Sequence, residues 1–228
     1  WADAGVCDVS EDEAAALLGK ARVQAFDLLP VLLAAARDMP IVDGFRVVVA
    51  GLRPLNGIPD AVALIGAMPV VAAALVRASR GAAPLRPDAS AGHAADLLRM
   101  LTGAAPQAAE AAALDAYLVT VSDHGMNAST FAARVVASTQ ADLFMAVTAA
   151  YCALSGPLHG GAPGPVLDML DAIGDSGNIA PWIDGALARG DRLMGFGHRI
   201  YKVRDPRADV LKKAVSTLGR SGADLGLA

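Results

Sequence analysis

What most restricts the fold of this chain is a missing pattern. No long stretch alternates apolar and polar residues in the way a half-buried strand requires. Alanine, leucine and valine instead recur at intervals of three and four, the spacing that lines one face of a helix. Hydrophobic residues make up 54 % of the chain but aromatics only 4 %, so a core must be filled mainly by small aliphatic side chains. Such side chains let helices approach closely. The expected fold is all-α, with about ten helices packed in layers. A chain of 228 residues makes one large domain or two small ones and buries roughly 70 % of its unfolded surface.

Local signals place the helices. Ser10 with Glu13 is a capping box and opens the first helix, which Pro30 should bend or split. A second helix is expected over 42–52, where Val47-Val48-Val49 would also suit a short strand. Pro59 and Asp60 start a third, which Pro69 should divide. Residues 80–87, with Gly81, Pro84 and Pro87, read as a loop. Ser90 is the expected cap of a helix that Gly103 ends, and Pro106 opens another that runs to about Ser122. Residues 127–155 are helical with a break near 139–142. Further helices are expected over 161–173 and 181–189. Asp205 caps a last one, with Pro206 at its first position.

Bulk properties exclude several functions. The net charge of −4 comes with no block of like charge, so nucleic acid is not an expected partner. Cys7 and Cys152 lie far apart and form no metal-binding pair, which fits buried thiols in a reducing compartment. The N-terminus has no basic segment followed by an apolar one, so no signal peptide is read. Together these make the cytoplasm the expected compartment. Between Asp60 and Arg77 the chain is uncharged, but Pro69 interrupts it. It reads as a buried core helix rather than a membrane span, which needs about 20 apolar residues. A membrane-associated helical protein is the alternative and predicts partition into detergent. There is no HExxH motif and no close Cys/His pair, so no metal is expected.

The four histidines carry the chemical information. Three of them sit in loops rich in Gly, Asn or Pro beside helix ends: D-H-G-M-N-A-S-T from Asp123, G-P-L-H-G-G-A from Gly156, and G-F-G-H-R-I-Y-K-V-R-D-P-R from Gly195. Glycine lets the backbone come close to a ligand, and a helix start favours small anions. His159 lies just before a helix N-terminus, whose positive end disfavours an imidazolium. A neutral ring there can donate a hydrogen bond to a carbonyl oxygen that is gaining charge; the alternative is a turn histidine bonded to local backbone. His198 is followed by Arg199, Lys202, Arg204 and Arg207, a cluster suited to carboxylate or phosphate, or else a solvated basic loop. His124 follows Asp123, which would fix its tautomer; otherwise it is a helix-end residue with a capping partner. His93 falls in an amphipathic helix and reads as surface.

In their order and spacing the three strings resemble the citrate synthase family. The resemblance covers residues 119–213; residues 1–118 share only helical character and the Gly-Pro loop near Arg80. It implies a mostly helical dimer whose large and small domains close over the substrates, with residues 1–165 expected to be part of the large domain and 166–228 the start of the small one. It implies condensation of oxaloacetate with acetyl-CoA, with no cofactor beyond the acyl-CoA substrate. His159 would hold the enol oxygen, and His198 would polarise and protonate the oxaloacetate carbonyl. His124 and Arg207 would hold oxaloacetate. Lys202 would meet a CoA phosphate, with Phe196 and Gly197 near the adenine. The family's Y-R-G motif has no counterpart here. Its base, an aspartate, is expected well after the D-P-R helix: Asp224 is too close to serve, and Asp205 reads as a cap. The later arginines of the oxaloacetate site are expected beyond it as well. Propionyl-CoA in place of acetyl-CoA, as in 2-methylcitrate synthase, shares these motifs. A non-catalytic dicarboxylate- or CoA-binding protein is the reading from a different class.

Overall fold

The computed structural model describes residues 9–123, 125–161, 163–193, 195–196, 205 and 207–218. Every regular element among them is helical: α1 (Glu11–Ala35), α2 (Ile41–Ala50), α3 (Asp60–Ser79), α4 (His93–Thr102), α5 (Ala108–Val121), α6 (Ala128–Ala137), α7 (Leu143–Leu154), α8 (Pro163–Ile173), a short 3-10 turn (Ser176–Asn178), α9 (Ile179–Ala188) and α10 (Arg207–Ser216). The all-α expectation holds, and Val47-Val48-Val49 is helical.

The caps formed as the sequence implied. Ser10 accepts from the Glu13 N–H while the Glu13 carboxylate accepts from the Ser10 N–H, closing the box that starts α1. Asp142 caps α7 by accepting from Met145 N–H at 2.8 Å. The break before it runs through Gln140, whose φ of 64° ends the preceding helix. Asp205 accepts from Arg207 N–H at 3.0 Å and starts α10. At the start of α5 the Glu110 carboxylate accepts from the Gln107 N–H at 2.9 Å.

The core is α3, packed against α1, α2 and α4. Val62, Ala63, Leu64, Ala67, Val70, Val71, Ala73 and Ala74 of α3 are buried. Its apolar length, sufficient to cross a membrane, is met by this burial. Two clusters share the core: one joins α1, α3 and Phe144 of α7, the other joins Leu29, Val48, the C-terminal half of α3 and Met100 of α4. The α1/α3 crossing is tight because Gly66 faces Ala21; a Cβ on Gly66 would sit 2.6 Å from the Ala21 methyl. α7 lies against α2 and α3 and pairs with α6, and α10 packs on α5.

Four expectations are corrected. Neither proline interrupts its helix: α1 runs through Pro30 and α3 through Pro69. A proline inside a helix costs about 3 kcal/mol, and here buried Leu29 and Ala36 flank Pro30 while buried Ala67 and Val70 flank Pro69, so core packing on both sides offsets that loss. Ser90 does not cap α4. Its hydroxyl and N–H both turn back to the Asp88 carboxylate, at 2.6 and 2.9 Å, and Gly92 takes the cap position. Cys152, on α7, is exposed rather than buried; Cys7 lies outside the described residues. His93 is not a surface residue. It is half-buried at the start of α4, with Nδ1 3.3 Å from the Arg22 guanidinium.

Candidate active site at the histidine loops

The pairing of α6 with α7 decides what the second histidine motif meets. The two helices form a hairpin, so the chain leaving α7 returns to the start of α6. There the 155–161 loop folds on itself. Its N–H groups donate inward, His159 to Gly156 O at 2.9 Å, Gly160 to Leu154 O at 2.8 Å and Gly161 to Gly156 O at 3.2 Å. Only glycine fits at position 160, since a Cβ would lie 2.5 Å from Leu154 O and 2.7 Å from the Leu154 side chain.

This wrapping carries the half-buried His159 to α6, where Nε2 lies 3.0 Å from Ser129 Oγ. Ser129 Oγ in turn donates to Asn127 Oδ1 at 2.7 Å. Asn127 is the cap of α6, and the same oxygen accepts from Thr130 N–H at 2.9 Å. Just before it, Asp123 Oδ1 accepts from Gly125 N–H at 2.9 Å, with Gly125 at φ 60°, a tight turn that glycine permits. The first two motifs therefore converge: the loop that carries His124 ends on the helix start that holds His159.

His124, His198, Gly197 and Lys202 lie outside the described residues, as do Cys7 and Asp224. Phe196 is described and is 64 % exposed. It follows Gly195, whose φ of 83° lets the turn close against Val166 of α8. Arg207 opens α10. Its guanidinium is held by Asp205, Nη2 to Oδ2 at 2.6 Å and Nε to Oδ1 at 3.0 Å, the two-pronged geometry that a substrate carboxylate would also use. α10 rests on α5, the helix that leads into the Asp123 turn. A groove of about 750 Å³ lies elsewhere, between the end of α1, α2 and the end of α3, and takes none of these residues.

Ser129 and Asn127 are the contacts that reasoning from sequence passed over. The signal was present: Asn followed by Ala-Ser-Thr at a helix start is a capping pattern, and a cap of this kind fixes the next hydroxyl in space.

The citrate synthase C-terminal domain family matches residues 10–227. A citrate synthase of Haloferax volcanii is 47 % identical over 159 residues, 69 % of this chain and 42 % of the relative. A 2-methylcitrate synthase of Mycobacterium tuberculosis is 41 % identical over 159 residues, covering 70 % of this chain and 40 % of the relative. The chain thus spans about two-fifths of the length of these curated relatives. Among solved structures, the citrate synthase of Thermoplasma acidophilum in ternary complex with carboxymethyl coenzyme A and oxaloacetate superposes with a TM-score of 0.76 at 30 % identity, over 86 % of this chain and 55 % of that one. The histidine motifs, the helical architecture and a family match over nearly the whole chain agree: the chain belongs to the citrate synthase family.

Proposed function

We propose that this chain serves the condensation of oxaloacetate with acetyl-CoA to give citrate and CoA. The observation that carries the reading is the junction of the first two histidine motifs, where His159 is held by Ser129 at the start of α6. In this reading a base, the family's aspartate, takes a proton from the acetyl methyl group. His159 donates a hydrogen bond to the thioester oxygen as it becomes an enol oxygen. The enol carbon then attacks the oxaloacetate carbonyl, and His198 delivers a proton to that oxygen as it becomes the alcohol. Water cleaves the resulting thioester and frees CoA. Arg207, with His124, holds oxaloacetate, whose carboxylate replaces Asp205 on the guanidinium fork. Lys202, Phe196 and Gly197 face the CoA. No further cofactor takes part.

Support for the substrates comes from the oxaloacetate and CoA analogue bound to the Thermoplasma acidophilum relative. The relative named a 2-methylcitrate synthase favours propionyl-CoA as a second acyl donor. The two acyl groups differ by one methylene, worth roughly 1–3 kcal/mol of discrimination. The apolar side chains that α5, α6 and α7 leave exposed, among them Tyr117, Val119, Phe131 and Val135, support a homodimer. The protein is read as cytoplasmic, with residues 1–165 in a large domain and 166–228 in a small one.

The test is thiol release by the full-length protein with oxaloacetate and each acyl-CoA. Release should require both substrates, and His198→Ala should abolish it with the helical spectrum unchanged. No release from the unmutated protein would overturn the proposal and favour a non-catalytic dicarboxylate- or CoA-binding role.

A further inference from the structure

We propose that His93 is an acid-sensitive latch: its neutral ring keeps residues 80–92 clamped across α1, and protonation lets that segment go while the helices stay folded. Between the end of α3 at Ser79 and the start of α4 at His93 the chain forms no regular element. Of residues 80–92 only Pro87 is buried, with Leu85 half-buried, so apolar packing does little to hold the segment. Guanidinium groups hold it instead. Arg77 Nε donates to Ala83 O at 2.6 Å, Arg99 Nη2 to Arg86 O at 2.7 Å, and Arg22 Nη2 to Asp88 O at 3.1 Å and Ala91 O at 2.7 Å. The seat on α1 is close, since a Cβ on Gly19 would lie 2.0 Å from Ala89 O. Arg86 pairs with Asp27 at 2.9 Å, but both side chains are more than half exposed and the pair adds little. The Arg22 end is the anchor.

The latch works by charge. A guanidinium has donors and no acceptor, so the His93 Nδ1 that lies 3.3 Å from Arg22 Nη1 is the acceptor and carries no proton. The ring is neutral, with its hydrogen on Nε2. A second proton can enter only at Nδ1. It would set donor against donor and put an imidazolium beside a guanidinium that is 1 % exposed. His93 is also the first residue of α4, where the positive end of the helix opposes the same charge. Arg22 and Glu11 face the ring from α1, Asp96 and Arg99 from α4, and Asp88 from the segment itself. Asp115 of α5 meets the neighbouring Ala94 N–H, and Arg77 of α3 lies at the far end of α4, near Gly103. Asp96 would attract an imidazolium, but its oxygens already serve Arg22, Arg99 and the Asp88 N–H. The charged ring has an exit, a cavity of about 170 Å³ beside it with Glu11 on its wall. A ring turning into that cavity draws Gly92 and Ala91 with it, off Arg22 Nη2. Pro84 walls the larger groove next to Phe26, so release of the segment opens that groove as well.

Hydrogen exchange of the full-length protein, read on peptides spanning residues 80–92 and corrected for intrinsic exchange rates, measures how often the segment opens. With the segment clamped, burial and then Arg22, against Asp96, push the His93 pKa down to about 4; once released, the ring returns to about 6.5. The opening constant should therefore rise about twentyfold between pH 7 and pH 5, while peptides from α2 and α3 keep their protection. His93→Gln presents an amide oxygen that can accept from Arg22 and takes up no proton, so its opening constant should stay flat over the same range. An opening constant that does not change with pH in the unmutated protein, loss of protection in α3 in step with residues 80–92, or an undiminished rise in folded His93→Gln would each overturn the proposal. The first two outcomes need no variant, and none of the three depends on catalytic activity.

Discussion

Among the described residues, Asp96 is the buried side chain with the most hydrogen bonds. Its carboxylate is fully buried and accepts from Arg22 Nε at 2.8 Å, Arg99 Nη2 at 2.7 Å and the Asp88 N–H at 3.2 Å. Arg22 is 1 % exposed and also donates to Asp88 O and Ala91 O. Asp96→Ala would strand the Arg22 charge in the interior, and should cost roughly 3–5 kcal/mol in urea unfolding at pH 7. Replacing Arg22 and Asp96 together by Met and Leu should cost far less. His93 shares this cluster and gives it a pH dependence. Burial first, and then the Arg22 charge, push its pKa down to about 4, against an opposing pull from Asp96. The unfolded chain binds the His93 proton more readily than the folded one, so this contribution is complete above about pH 6.5 and is lost as pH falls toward 4. Arg22, Arg99, Asp96, Asp88 and, from the start of α1, Glu11 are the charges around it. Stability should drop between pH 7 and 5, and His93→Gln should flatten that slope. None of this was legible in the sequence, where His93 sits at an outward position of an amphipathic helix. Its partner Arg22 is 71 residues away, and only tertiary folding brings them together.

At the scale of the helix, what could be read was what is local. Ser10 with Glu13, Asp205 before α10 and the break ahead of Asp142 are decided by neighbours three or four residues apart, and each formed where the pattern put it. Pro30 and Pro69 were misleading for the opposite reason, since core packing on both sides holds each helix through its proline. The same packing makes the α1/α3 crossing intolerant of volume. Gly66→Ala places a methyl against Ala21 and the backbone of Arg22. It should destabilise the protein by about 1–3 kcal/mol, read as a lower urea midpoint at unchanged slope. Gly160→Ala should act on function instead. It would push the 155–161 loop off the end of α7 and so part His159 from Ser129, lowering thiol release with little change in the unfolding midpoint.

Across the whole molecule, apolar surface is unevenly shared. The faces of α1 to α4 are spent on a common core, whereas α5 and α6 bury no residue fully within the chain. Phe131 and Val135, one helical turn apart on α6, are 62 % and 49 % exposed, more than a soluble surface needs. Phe131→Asp with Val135→Asp should convert the proposed homodimer to a monomer in sedimentation velocity without unfolding it. An unchanged sedimentation coefficient would show that this face is not the contact. The histidine strings made the family legible because three of them stand together in its order and spacing. The Ser129 and Asn127 contacts escaped because a sequence does not say which helix end a returning loop will touch.

α7 joins these two regions. Phe144 is anchored in the core at one end, and Tyr151 bonds its hydroxyl to Val42 O at 2.9 Å and rests its ring 5.0 Å from Phe45 near the other. Three residues beyond that anchor the helix gives out into the turn bearing His159. α7 thus works as a rigid strut: shortening a side chain deep beside Phe144 would tilt the strut and displace an imidazole it never touches. Losses of turnover caused by distant packing mutations should therefore be expected along this one helix, and should track the geometry of its far end more closely than the stability of the fold.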